Sequence, residues 1–167
     1  SKILNQSNSN LILKNSSGFS DKKLNISLLE KFYKEKVDPN KIKILERTAT
    51  FDQHLQCYNN VNLCLDTFPY PGVTTSFHSI LMGVPVLSMK GYNFNSRCGE
   101  SINKNLALES LIANDENDYI VKALEFYKEK RVNENFKIDL RKKALNSNLF
   151  DTETFTKDFA ELIKSLK

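Results

Sequence analysis

Two apolar runs, residues 61–66 (VNLCLD) and 84–89 (VPVLSM), bracket the segment that most constrains this chain. Between them lie Phe68-Pro69-Tyr70-Pro71-Gly72 and then an amphipathic stretch from Thr74 or Thr75 to Met82, which stops at Gly83. Proline has no amide hydrogen and a fixed φ, so the Pro69–Gly72 stretch is neither helix nor central strand. A glycine directly after an amphipathic stretch is the usual end of a helix. The order is therefore strand, irregular loop, helix, strand. Strands joined through a helix run parallel.

The same alternation extends to both sides. Residues 10–14 (NLILK) and 41–46 (KIKILE) read as strands, separated by a polar turn at 15–21 and a helix. In that helix Leu24, Leu28, Leu29, Phe32 and Tyr33 recur at helical spacing, and Asp38-Pro39-Asn40 breaks it. A short helix is expected over 51–58, another over 96–106, a short strand at 111–113, and helices at 118–129, 136–146 and 152–166. The fold class is α/β: a Rossmann-like parallel sheet with helices on both faces. At 167 residues and 40% hydrophobic content the chain fits one domain over 1–167, its C-terminal helices occupying about 118–166. It begins at Ser1 without an initiator Met, in what reads as the tail of a helix, and is expected to be a piece of something longer.

Composition excludes several classes. A net charge of +4 with 26% charged residues argues against a disordered acidic tail or a basic arm. The basic run KIDLRKK at 137–143 lacks the interleaved aromatics that stack bases, so no nucleic-acid partner is expected and solvation explains the run. Cys57, Cys64 and Cys98 are sparse and the only histidines are His54 and His78, so no metal site is expected. No apolar run approaches the roughly 20 residues of a membrane span, and the polar start SKILNQSNSN is no signal peptide. A cytoplasmic protein is the expectation.

In open α/β sheets, ligands sit at the carboxyl ends of strands, often at the start of the next helix. Here that place is the Gly72-Val73-Thr74-Thr75-Ser76 turn. Glycine allows close approach, and the first amides of the helix, with its positive dipole end, suit a diphosphate. Thr74 as a simple helix cap explains the residues about equally well. The turn is neither a Walker loop nor a GxGxxG fingerprint, which argues against ATPase and NAD readings. On the preceding short helix, His54 is either a hydrogen-bond donor to a phosphate oxygen or an ordinary surface histidine. Phe51 either stacks on a base or staples the helix start. His78 falls one turn into the Thr74 helix. Asp66, at a strand end, suits orienting a loop better than catalysis. Arg97 at SRCGE is expected to pair structurally with a carboxylate such as Glu100.

The string LCLDTFPYPGVTTSFHSILMGVPVLSMKG, with SRCGES at 96–101, LESLIA at 108–113 and SNLFD at 147–151, resembles the C-terminal catalytic region of the O-linked N-acetylglucosamine transferase and SPINDLY-like family. The likeness runs from about Phe51 to near the end, and more weakly from Leu4. It implies the second Rossmann-like half of a GT-B glycosyltransferase that is metal-independent, needs no cofactor and takes a UDP-sugar donor. By position it makes Thr74 and Thr75 diphosphate ligands and places His54 near the uridine and phosphates. It gives the Ala49 backbone a contact to the uracil and sets Phe51 beside the base. Gly72, Val73, Ser76 and His78 complete the implied donor-binding set.

This chain departs from the family at two of these positions: His78 stands where Asp or Glu is usual, and Val73 where the animal enzymes carry His. The acceptor site, the residues usually proposed as catalytic, a further donor-contacting lysine and the repeats that select protein acceptors would all lie upstream, so no catalytic residue is expected within the chain. The leading expectation is inverting transfer of a sugar, N-acetylglucosamine first, from a UDP-sugar to a protein hydroxyl. A non-catalytic sugar-nucleotide-binding or scaffolding domain is the alternative, and a flavodoxin-like signalling module ranks last.

Overall fold

The structure, a computed structural model, describes residues 1–14, 22–129 and 132–166. The polar turn expected at 15–21 lies outside them. The chain divides into two compact units: one of Ser1–Val61 with Ile120–Arg131, the other of Asn62–Tyr119 with Val132–Lys167.

In the first unit a short helix α1 (Lys2–Asn5) precedes strand β1 (Leu11–Lys14), helix α2 (Lys22–Lys34), strand β2 (Ile42–Leu45) and helix α3 (Phe51–Gln56). The strands pair in parallel, Leu11 opposite Ile42 through Lys14 opposite Leu45. Helix α2 ends at Lys34, ahead of the break expected at Asp38-Pro39-Asn40, and Lys36 follows at φ +59°. The Asp38 carboxylate accepts from the Asn40 amide and caps a 3₁₀ turn at Pro39–Lys41. Lys41 Nζ then donates to the carbonyls of Leu4, in the last turn of α1, and Ser7, just after it, at 2.8 and 2.7 Å. Only part of the apolar spacing in α2 is sheltered: Leu28, Leu29 and Phe32 are half-buried, whereas Leu24 and Tyr33 are exposed.

The second unit carries strands β3 (Cys64–Leu65), β4 (Val86–Met89) and β5 (Ile112–Ala113), parallel and in that order. Helix α4 (Thr74–Leu81) connects the first two and α5 (Cys98–Asn105) the last two. Expected strand 61–66 is trimmed to its last residues, with Cys64 and Asp66 amides bonded to Pro85 and Leu87 carbonyls. Gly83 ends α4 at φ +71°, and a β-carbon there would strike the Lys137 backbone, so both conformation and space require glycine. Helix α6 (Glu116–Glu129) carries two buried residues of the first unit, Ala123 and Phe126. Helices α7 (Glu134–Leu145) and α8 (Thr152–Ser165) follow.

Ile80, Val86, Ile102, Leu106, Leu140 and Ala144 form the core of the second unit, with Phe77 and Phe150 packed edge-on at 5.6 Å. Buried Asn103 donates to Val86 and Leu111 carbonyls, tying β4 to the turn before β5. Helix α8 exposes Phe155, Phe159, Leu162 and Ile163. Among the described residues, no helix is long and apolar enough to cross a membrane.

Candidate functional site

The turn after β3 is held by one carboxylate. Asp66 Oδ1 accepts from the Gly72 amide at 2.6 Å, and Oδ2 accepts from Ser88 Oγ of β4 at 3.0 Å. The Tyr119 hydroxyl donates to the Asp66 carbonyl at 2.8 Å. Gly99, on α5, leaves room for this pair: a β-carbon there would collide with Ser88 and approach Asp66 Oδ2. Burial raises the Asp66 carboxyl from its ordinary value, against the pull of hydrogen bonds from Gly72, Ser88 and Thr67. The Tyr119 phenol is raised by burial, and further by the Asp66 and Cys64 charges. Loop orientation, the role expected of Asp66, is what the geometry shows.

Helix α4 opens directly from that turn. Val73, not Thr74, is the capping residue, and no side chain caps the helix. The bland explanation of Thr74 as a cap therefore fails by one position: it is the first helical residue. The Phe77 amide makes the first intrahelical bond, to the Val73 carbonyl, and a helix offers its earlier amides no internal acceptor. Ser76 is buried and its hydroxyl donates back to the Gly72 carbonyl at 2.9 Å, fixing the turn rather than facing outward. Thr74 and Thr75 are exposed, and half-buried His78 shares their helical face at three and four residues' remove. Gly72 packs so closely on Thr75 that a β-carbon would fall on Thr75 Oγ1. The result is an exposed helix start with two hydroxyls, at the carboxyl end of a parallel strand, where an anion is favoured.

In the first unit, Ala49, Phe51 and His54 gather around the start of α3. Thr50 caps it, accepting from the Gln53 amide at 3.2 Å, while Gln53 Oε1 accepts from the Ala49 amide at 3.0 Å. This near capping box, legible as T-x-x-Q, occupies the Ala49 N–H. A backbone contact from Ala49 to a base would accordingly use its carbonyl. Phe51 is exposed, with no role as a packing staple visible in its burial, and its ring centroid lies 6.2 Å from that of His54. His54 is half-buried, with Tyr58 edge-on at 5.6 Å and Lys14 Nζ 2.6 Å from its Nδ1. The structure thus brings Ala49, Phe51 and His54 together in one unit, and Gly72 through His78 together in the other.

Arg97 takes the expected structural part. Its Nε donates to Glu100 at 2.9 Å, and Lys104 Nζ donates to the same carboxylate at 2.7 Å. These bonds hold the Glu100 carboxyl down at about 2. In the 137–143 run, Arg141 departs from simple solvation, donating to the Leu81 carbonyl at the end of α4. Sequence reasoning passed over Lys14, Gln53, Ser88 and Tyr119. Only Gln53 had a local signal; the others act through contacts distant in sequence.

Parallel strands connected by helices, with an exposed helix start at their carboxyl edge, define a Rossmann-like α/β protein. The chain belongs to glycosyl transferase family 41, whose model matches residues 22–159. It is 31% identical over 130 residues to the tomato (Solanum lycopersicum) protein named "Probable UDP-N-acetylglucosamine--peptide N-acetylglucosaminyltransferase SPINDLY", covering 78% of this chain and 14% of that protein. The barley (Hordeum vulgare) protein of the same name is 33% identical over 113 residues, covering 68% of this chain and 12% of its own. Among solved structures, a mutant O-GlcNAc transferase of Thermobaculum terrenum superposes with a TM-score of 0.73 at 26% identity, over 85% of this chain and 26% of the other. The chain thus spans about a seventh of the length of the tomato relative.

Proposed function

We propose that this chain is the donor-binding domain of an inverting, metal-independent glycosyltransferase that moves a sugar from a UDP-sugar to a protein hydroxyl in the cytoplasm. N-acetylglucosamine is the first candidate sugar, because the plant relatives carry it in their names. The observation that carries the reading is the start of α4: Thr74 and Thr75 exposed on a helix without a side-chain cap, on a turn clamped by Asp66. Such a start binds a diphosphate through amides, hydroxyls and the helix dipole. During transfer the same groups stabilise the charge that develops on the UDP leaving group. The three cysteines, all unpaired, fit a reducing compartment.

Calorimetry with UDP tests the reading. Weak binding is expected, weakened further by Thr75→Val; no heat at millimolar UDP would overturn it. His78 favours a second reading, a sugar-nucleotide-binding or scaffolding domain without catalysis. A neutral imidazole accepts one hydrogen bond where a carboxylate accepts from two ribose hydroxyls. Transfer by the protein as it occurs in the cell, assayed with a UDP-sugar and unaffected by chelator, supports the enzyme; UDP binding without transfer supports the scaffold.

A further inference from the structure

Lys14 ends β1, and His54 sits on the helix that follows β2, the strand paired with β1. Their side chains meet: Lys14 Nζ lies 2.6 Å from His54 Nδ1 and 3.2 Å from Thr48 Oγ1. An ammonium carries three donors and no acceptor, so in this pair the imidazole nitrogen must accept. A neutral ring that accepts at Nδ1 carries its proton on Nε2. Phe51 and Tyr58 flank the ring, at centroid distances of 6.2 and 5.6 Å, which limits its rotation.

We propose that Lys14 is a positioning residue that fixes His54 as an Nε2–H hydrogen-bond donor for an anionic oxygen of the nucleotide ligand. The inference rests on the donor-binding reading given above, but its first half, the fixed tautomer, is a property of the unliganded chain. The lysine acts through the ring. With Nδ1 accepting from Lys14, the ring carries its N–H at Nε2, and the ring is held against flipping that would present a lone pair to a phosphate. An oxygen acceptor then meets a donor without a proton having to move first, which is the advantage of preorganisation.

The test joins imidazole nitrogen chemical shifts to UDP titration. The unsubstituted chain, with two histidines to assign, is expected to show His54 with Nδ1 bare and Nε2 protonated. Lys14→Met should move both His54 nitrogens toward a mixture of tautomers, and Lys14→Arg, which keeps a charged donor, should restore them. UDP affinity should fall about tenfold in Lys14→Met, the effect of a charge-assisted hydrogen bond, and less than twofold when the same change is made in His54→Ala. Unmoved His54 shifts in Lys14→Met overturn the inference. So does an equal loss of affinity without His54, since Lys14 would then act by its own charge. A fixed tautomer in a chain that binds no UDP overturns the donor-binding reading, and with it the ligand half of this inference.

Discussion

The Gly72 amide donates to Asp66 Oδ1 at 2.6 Å, so one carboxylate, six residues earlier in the chain, sets where α4 begins. Its other oxygen is occupied by Ser88. Asp66→Ala leaves an amide and a buried hydroxyl without their acceptor and should cost about 1–3 kcal/mol in urea unfolding. Asp66→Asn keeps an acceptor for Gly72 and offers an N–H to Ser88 Oγ, so it should cost less. UDP affinity should follow the same order. Equal UDP affinity in the alanine variant would show that the turn holds its shape without the clamp.

Gly72→Ala separates binding from stability. Its added carbon falls on Thr75 Oγ1 and lies 3.1 Å from Ser76 Oγ, both side-chain atoms, while the backbone needs no positive φ. The exposed Thr75 can swing away at modest cost, about 1 kcal/mol or less for an off-rotamer side chain. The expected result is a nearly unchanged melting temperature with UDP binding several-fold weaker. A large loss of stability would mean that the turn, and not Thr75, gives way.

Acid unfolding reports on Glu100. Its carboxyl is held at about 2 by Arg97 and then Lys104. A depressed folded pKa contributes stability above the unfolded value of about 4.5, and that contribution is lost as pH falls from there through about 2. Glu100→Gln should therefore be less stable than the unsubstituted chain at neutral pH, and the gap should close across that window. The gap should be modest, because both cationic partners are about half exposed. Asp66 runs the other way: its raised carboxyl binds a proton more readily when folded, so acidification through its titration favours the fold.

Gly83→Ala should be among the costliest changes in the second unit. Alanine at φ +71° is strained, and its methyl would meet the Lys137 backbone of α7 rather than a side chain that can move. A loss on the order of 2–3 kcal/mol is expected from strain and overpacking together. Thermal unfolding measures it; a loss under half of that would show α7 shifting to make room.

Element order was legible because proline, glycine and apolar runs are local signals. Pro69, Pro71 and Gly72 marked the loop, and Gly83 marked the end of α4 one residue past its cap at Met82. Strand β3 proved shorter than its apolar run because pairing depends on a partner, and only Cys64 and Leu65 face β4 in register. The helix start at Thr74 was legible, but its cap was not. Val73 and not Thr74 caps the helix, on a turn whose Gly72 amide donates to Asp66, a contact no spacing rule encodes. For the same reason Lys14 passed unnoticed: it lies forty residues from His54 and meets it only when β1 and β2 pair.

His78 offers the sharpest test of what the α4 start holds. It shares a helical face with Thr74 and Thr75, and on the donor-binding reading proposed above this face meets the ribose, whose hydroxyls a carboxylate would suit. A carboxylate accepts from two hydroxyls and benefits from the helix dipole in the first turns; it also brings a negative charge toward a diphosphate, which opposes binding. A charged hydrogen bond contributes about 1.5–3 kcal/mol, whereas solvent-screened charge repulsion at several ångströms is about 1 kcal/mol. His78→Glu should therefore bind UDP about tenfold more tightly. The gain should shrink with 2′-deoxy-UDP, which lacks one of the two hydroxyls. A gain that is the same for both nucleotides would remove His78 from the ribose, and no gain for either would place the nucleotide away from this face of α4.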